Sequence, residues 1–217
     1  MSGSLVSPEL RAKIRGLMTP IAIGLGRLGL TPNALTVIGF LIACVAAVVA
    51  GLQAWLAAGF LVIFGGVFDL FDGALARATN RVSKVGGFMD SVFDRWGEGV
   101  VYVGIAAGGQ AAGLNLIAIL SALAMTSAFM VSYTRAKAES LGFAPGKGMA
   151  NVGLAPREVR LVILTVGLVW AGIAGVSPNS SGGVVLEIAL GLIAVLATIT
   201  TIQRIVATLR QAAASES

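Results

Sequence analysis

Long apolar runs, broken by brief polar links, set the plan of this 217-residue chain. A bilayer core about 30 Å thick is crossed by about 20 apolar residues of helix. Six segments meet or approach that length: 33–53, 54–79, 86–109, 112–138, 157–176 and 183–208. Turn formers part them, among them Gly108-Gly109, Pro145-Gly146 and Ser177-Pro178-Asn179. Ahead of the first run, Leu10, Ile14, Leu17 and Ile21 recur at helical spacing opposite Arg11, Lys13 and Arg15. That pattern predicts a helix lying in the membrane interface. Pro20 and Arg27 interrupt the apolar positions and no small-residue cleavage site follows, so a signal peptide does not fit. Thr31-Pro32-Asn33 reads as a break and cap before the first span. The expected fold is all-α: an N-terminal interfacial amphipathic helix over 1–30, then a polytopic membrane domain of six transmembrane helices over 31–217.

Composition agrees with that pattern. Hydrophobic residues make up 57% of the chain and charged ones 12%, with a mean hydropathy of +0.92. A soluble domain carries about 25% charged residues, so this chain has too little polar surface to stay in water. The net charge of +5 does not point to nucleic acid, because the basic residues sit between apolar runs rather than in one patch. With six spans, all fifteen Lys and Arg fall on the side of both termini. The links near 51–54, 108–113 and 176–183 carry none. The positive-inside rule makes the basic side cytoplasmic and the location the cell membrane; an odd number of spans would spoil the pattern. No internal repeat stands out, and Gly104-xxx-Gly108 is a weak helix-packing signal.

The chemistry available is narrow. There is no histidine, and one cysteine, Cys44, inside an apolar stretch. Disulfide frameworks, thiolate metal sites and His-dependent triads are excluded, leaving carboxylates, Lys, Arg and hydroxyls. Asp69 and Asp72 end the second span, and Asp90 and Asp94 open the third. Each pair is spaced i,i+3 or i,i+4 and projects from one helix face. The short link around 79–85 makes the two helix ends antiparallel neighbours, so the four carboxylates can converge. An aspartate deep in a spanning helix costs about 2.5–3.5 kcal/mol, and four like charges repel, so something must neutralise them. Arg77, Arg81 and Arg95 offer one answer and divalent metal the other. Oxygen ligands without His or Cys favour Mg²⁺, Mn²⁺ or Ca²⁺. Gly73, Gly86 and Gly87 let a bulky ligand approach, and Arg77 lies one turn beyond Gly73.

Two other readings fit less well. A cation transporter would spread carboxylates through the membrane depth, whereas here the opposite half of the spans is bare of charge except Glu187. A phosphate-binding loop at Gly142–Lys147 fails on short spacing and on Gly148 where Ser or Thr is needed.

The run Asp69-x2-Asp72-Gly73-x2-Ala76-Arg77-x8-Gly86-x3-Asp90-x3-Asp94 resembles the complete signature of the CDP-alcohol phosphotransferases, eight defined positions within 26 residues. The resemblance implies an enzyme that transfers a phosphatidyl group from CDP-diacylglycerol to an alcohol. It implies Asp69, Asp72, Asp90 and Asp94 as ligands of two Mg²⁺ ions, with Mn²⁺ as a substitute, and Asp94 as general base. It also implies a homodimer and a donor site of Gly73, Ala76, Arg77 and Ser83, bordered by Thr31, Pro32, Asn33 and Ala34.

Ser132, Arg135, Lys137, Arg157, Arg160 and Arg204 gather at the same membrane face, which suits a phosphorylated acceptor. The Thr31–Ala34 segment, the Ser132–Lys137 run and the Pro156-Arg157-Glu158 start are similar to the bacterial branch of the family that uses inositol phosphate. Glycerol 3-phosphate is the second candidate acceptor.

Overall fold

In the computed structural model, the described residues are 8–143 and 153–216, with side chains described over 18–143 and 153–214. They form seven helices: α1 (Pro8–Arg27), α2 (Pro32–Gly51), α3 (Trp55–Ala78), α4 (Lys84–Ala111), α5 (Asn115–Ser140), α6 (Arg157–Ala174) and α7 (Ser181–Glu216). No strand occurs among the described residues. The six expected apolar segments coincide with α2–α7 to within a few residues, apart from the C-terminal extension of α7. Pro145, Gly146 and Lys147 lie outside the described residues.

Four of these helices, α2, α3, α5 and α7, are long and apolar enough to cross a membrane. Charge is what sets α4 and α6 apart. The more apolar end of α4 still holds Asp94, Arg95 and Glu98, and α6 is only 18 residues long with Arg157, Glu158 and Arg160 in its first turn.

The helices close a ring. α2 packs on α3 and α4, α4 on α5, α5 on α7, α7 on α6, and α6 back on α3. Leu164, Leu168, Leu186, Leu190, Ile105 and Ile117 fill its interior. Large apolar side chains such as Val48, Phe60, Val103, Ile119, Val162 and Ile188 point outward. In water that surface would drive association; against lipid it is at home.

The Gly104-xxx-Gly108 pair does more than its sequence signal indicated. A Cβ on either residue would collide with the α2 backbone at Ala47 or Ala50, and one on Gly97 would press on Ala43 at 3.3 Å. Small residues therefore let α2 and α4 approach closely over the second half of α2, from Ala43 to Ala50.

α1 docks rather than merely lying flat at its second half. Met18, Ala22 and Leu25 pack with Leu35, Phe71, Ala74 and Leu75. Ile21, expected on the apolar face, is exposed, and Ala22 is fully buried instead. The small alanine allows close approach to α3 and turns Ile21 outward. The side chains of Leu10, Arg11, Lys13, Ile14, Arg15 and Leu17 lie outside the described ones.

Candidate active site

Capping places the acidic helix ends. Thr31 accepts a hydrogen bond from the Ala34 amide at 3.1 Å at the start of α2. Ser83 accepts one from the Gly86 amide at 3.0 Å at the start of α4. Both are conventional N-caps, and Pro32 suits the first turn of α2. A Cβ on Gly86 would stand 3.4 Å from Asn33 Oδ1. The two N-termini therefore sit side by side, with free amides and positive dipole ends suited to phosphate oxygens. The Arg77 guanidinium lies across Gly73, where a Cβ would come within 3.1 Å of it. Gly73 and Arg77 thus meet on α3 next to Asp72, Asn33 and Ser83 meet at Gly86 where α2 and α4 begin, and Ala76 is half-buried.

The four carboxylates come together electrostatically. Asp72 feels the charges of Asp90 and Asp69, and Asp94 those of Asp69 and Asp90. Asp72 is buried and accepts a 2.6 Å hydrogen bond from Thr36 of α2. Arg157, from the start of α6, stands between Asp69 at 2.6 Å and Asp94 at 2.9 Å. The contact to Asp69 is ionic rather than an aligned hydrogen bond: Asp69 Oδ2 and Arg157 Nε are both buried without a hydrogen-bond partner. Arg95 also touches Asp94, at 3.3 Å. The neutralising cations are therefore Arg157 and Arg95; Arg77 and Arg81 form no ion pair among the described residues.

Arginine does not account for the whole cluster. Asp72 and Asp90 have no ion pair among the described residues. Nor does any group of three or more carboxylates among them close around one point, because Arg157 takes the space between Asp69 and Asp94. The donor set still suits a hard divalent cation. It is all oxygen, it comes from two helix ends that both pack on α2 rather than, as the short link suggested, on each other, and one buried oxygen of Asp69 lacks an aligned donor. Gly39 of α2 also leaves room there, since a Cβ would sit 3.0 Å from Asp69 Oδ1. Beneath lies a cavity of about 40 Å³ lined by Thr36, Gly39, Asp69, Asp94, Glu98 and Arg157, among others.

The basic residues expected to bind the acceptor divide into two groups. Ser132 accepts a 2.9 Å hydrogen bond from Arg95, and buried Arg204 donates to the Val131 carbonyl. Arg204 feels the charges of Arg135, Arg160 and Arg95. Arg157 joins this cluster to the aspartates. Arg135 instead pairs with Glu139 at 2.8 Å, and both Arg135 and Lys137 are exposed at the end of α5.

Two residues were missed in the sequence. Glu98 is buried at 6% exposure and takes two 2.8 Å hydrogen bonds from Arg160. Its signal was present: Asp90, Asp94 and Glu98 form a stripe at i, i+4, i+8. Thr36 had no local signal at all. Arg95 was expected as a neutralising charge, and it pairs with Asp94; its contact with Ser132 was not legible.

A helical ring with four members long and apolar enough to cross a membrane, and an acidic cluster beside a basic one at one end, fits a membrane-embedded enzyme that handles anionic groups. The chain belongs to the CDP-alcohol phosphatidyltransferase family, whose model matches residues 29–210. It is 36% identical to the archaetidylinositol phosphate synthase of Pyrococcus horikoshii over 91% of this chain and 93% of that protein. It is also 36% identical to the phosphatidylinositol phosphate synthase of Streptomyces avermitilis, over 99% and 86% respectively. Among solved structures, it resembles Mycobacterium tuberculosis phosphatidylinositol phosphate synthase (PgsA1) with CDP-DAG bound. The TM-score is 0.75 at 29% identity, covering 88% of this chain and 92% of that one. The same enzyme in complex with manganese and citrate matches with a TM-score of 0.75 at 28% identity, covering 88% of each chain.

Proposed function

We propose that the chain is a phosphatidylinositol-phosphate synthase: it transfers a phosphatidyl group from CDP-diacylglycerol to a hydroxyl of inositol phosphate and releases CMP. The observation that carries this reading is the contact of two charge clusters, acidic on α3 and α4 and basic on α4–α7, through Arg157 and Arg95. A donor pyrophosphate and a phosphorylated acceptor need such neighbouring sites. The names of the relatives support the acceptor, since the archaeal and bacterial enzymes differ in their lipid word and share inositol phosphate.

Asp69, Asp72, Asp90 and Asp94 hold Mg²⁺ or Mn²⁺, and the manganese-containing relative supports this assignment. When bound, such ions supply positive charge to offset the pyrophosphate oxygens during transfer. Thr31, Pro32, Asn33, Ala34, Gly73, Ala76, Arg77 and Ser83 seat the donor, with the paired helix N-termini facing its phosphates. Ser132, Arg157 and Arg204 draw the acceptor phosphate, with Arg135 and Lys137 adding only positive charge at the exposed rim. Asp94 accepts the proton of the attacking hydroxyl. The acceptor oxygen bonds to the lipid-side phosphorus as the bond to CMP breaks, and no covalent enzyme intermediate forms.

The topology belongs to the same proposal. Helices α2–α7 make six spans over 31–217, with residues 1–30 as an interfacial helix, both termini and the site on the cytoplasmic side of the cell membrane, and a homodimer as the working unit. Charged residues at the starts of α4 and α6 then sit at the cytoplasmic rim, and their apolar remainders cross.

Purified protein given radiolabelled CDP-diacylglycerol, Mg²⁺ and each acceptor in turn tests the assignment. Phosphatidylinositol phosphate and CMP are expected with inositol 1-phosphate. Product with glycerol 3-phosphate in its place would make the chain a phosphatidylglycerophosphate synthase.

A further inference from the structure

Helices α4 and α6 are not neighbours in the ring, yet side chains join them across its interior in two rungs. The outer rung is Asp94 to Arg157 at 2.9 Å; one turn deeper, Glu98 meets Arg160. The two differ in kind. Arg157 and Asp94 keep 20% and 14% of their side chains exposed, whereas Arg160 and Glu98 keep 1% and 4%. Every nitrogen of Arg160 is engaged: Nε and one terminal nitrogen bond the two Glu98 oxygens at 2.8 Å, and the other bonds the Ala155 carbonyl at 2.9 Å. Its two remaining N–H groups are buried with the side chain and do not face a substrate.

Glu98 has a second partner. Its Oε2 lies 3.6 Å from Arg95 NH1, the same nitrogen that donates to Ser132 at 2.9 Å. The other terminal nitrogen of Arg95 touches Asp94 at 3.3 Å. Arg95 is thus steadied on three sides, while a quarter of its side chain remains open. Without the charge of Glu98, Arg95 would feel repulsion from Arg157 and Arg160 and its nearest attraction would be Asp94. It would turn away from Ser132 and onto the proposed base.

We propose that Glu98 is a positioning residue for acceptor binding: through Arg160 it fixes α6 against α4, and through Arg95 it holds an open guanidinium between Asp94 and Ser132, aimed at the acceptor's phosphate. This inference rests on the acceptor reading above. It makes Arg95 an acceptor contact and Arg160 a strut.

Steady-state kinetics of Glu98→Gln test it, with CDP-diacylglycerol and inositol phosphate varied separately. The acceptor KM is expected to rise about tenfold or more, with donor KM and Mg²⁺ dependence close to wild type. Because the single change strands a buried arginine charge, the charge-balanced double variant Glu98→Gln/Arg160→Gln is measured beside it; the same selective rise in acceptor KM is expected. The idea is overturned if donor and acceptor KM rise together. It is equally overturned if the double variant recovers the wild-type acceptor KM, or if only Tm falls while both KM values stay put. Wild-type protein inactive with inositol phosphate but active with glycerol 3-phosphate would count against the acceptor identity alone. The comparison then runs with that acceptor, which carries the same phosphate.

Discussion

The proposed donor half and the proposed acceptor half of the site are built on different principles. On the donor side, one 26-residue stretch spans two consecutive helices that both pack on α2, and a cap, glycines and aspartates arrive together. On the acceptor side, Arg95, Ser132, Arg157, Arg160 and Arg204 come from four helices and meet only because the ring closes. The first is written in one short stretch of sequence, with α2 standing between α3 and α4 and supplying Thr36 to Asp72. The second depends on global packing, and its cations need a buried anion, Glu98, to share the interior. Local devices fail by losing chemistry, and packed ones by losing geometry.

Four substitutions sharpen or break that contrast. Asp94→Asn should have the largest effect: turnover falls about 10³-fold or more while donor binding persists, because a general base alone contributes about 10²–10⁴-fold. Near-wild-type turnover in a radiolabel assay would remove Asp94 from its role. Arg157→Ala comes next, with acceptor KM raised about tenfold to a hundredfold. Since Arg157 also pairs with Asp69 and Asp94, Mg²⁺ titration of this variant should change too; an unchanged acceptor KM would assign the arginine to the acidic cluster only. Thr36→Val deletes the 2.6 Å hydrogen bond to Asp72. A hydrogen bond to a charged group contributes about 1.5–3 kcal/mol, so activity at limiting Mg²⁺ should fall about tenfold and recover in part at saturating Mg²⁺. Arg135→Ala should do least. Its i,i+4 pair with Glu139 is about half exposed on both sides, and such pairs contribute about 0.3–0.5 kcal/mol. A large loss of acceptor affinity there would restore Arg135 to the centre of the pocket.

The same contrast explains what could be read in advance. Helix ends were legible because apolar runs and turn formers mark them: α2–α6 fall within a few residues of the segments drawn from the sequence. The aspartates were legible because their spacing fixes a shared face whatever surrounds it. The role of Arg157 between Asp69 and Asp94 was not, since its partners stand 88 and 63 positions away, and local spacing says nothing at that distance. Glu98 carried a periodic signal that stood unremarked beside the louder motif. Thr36 looked like one more β-branched residue in an apolar helix. Gly104 and Gly108 looked ordinary because glycines are abundant in this chain, 29 of them; only the α2 backbone opposite shows that two of them admit no side chain.

That glycine seam has a mechanical consequence. Where Gly104 and Gly108 meet Ala47 and Ala50 no side-chain layer can yield, and nearer the proposed site Phe40 packs on Phe93 and Trp96, so α2 and α4 are coupled toward the end that holds Thr31, Asn33, Ser83 and Gly86. Gly108 is 22 residues from Gly86, about 33 Å along the helix at 1.5 Å per residue. A methyl group added at that remote end would tilt α4 against α2 and misalign the proposed nucleotide cradle without touching it.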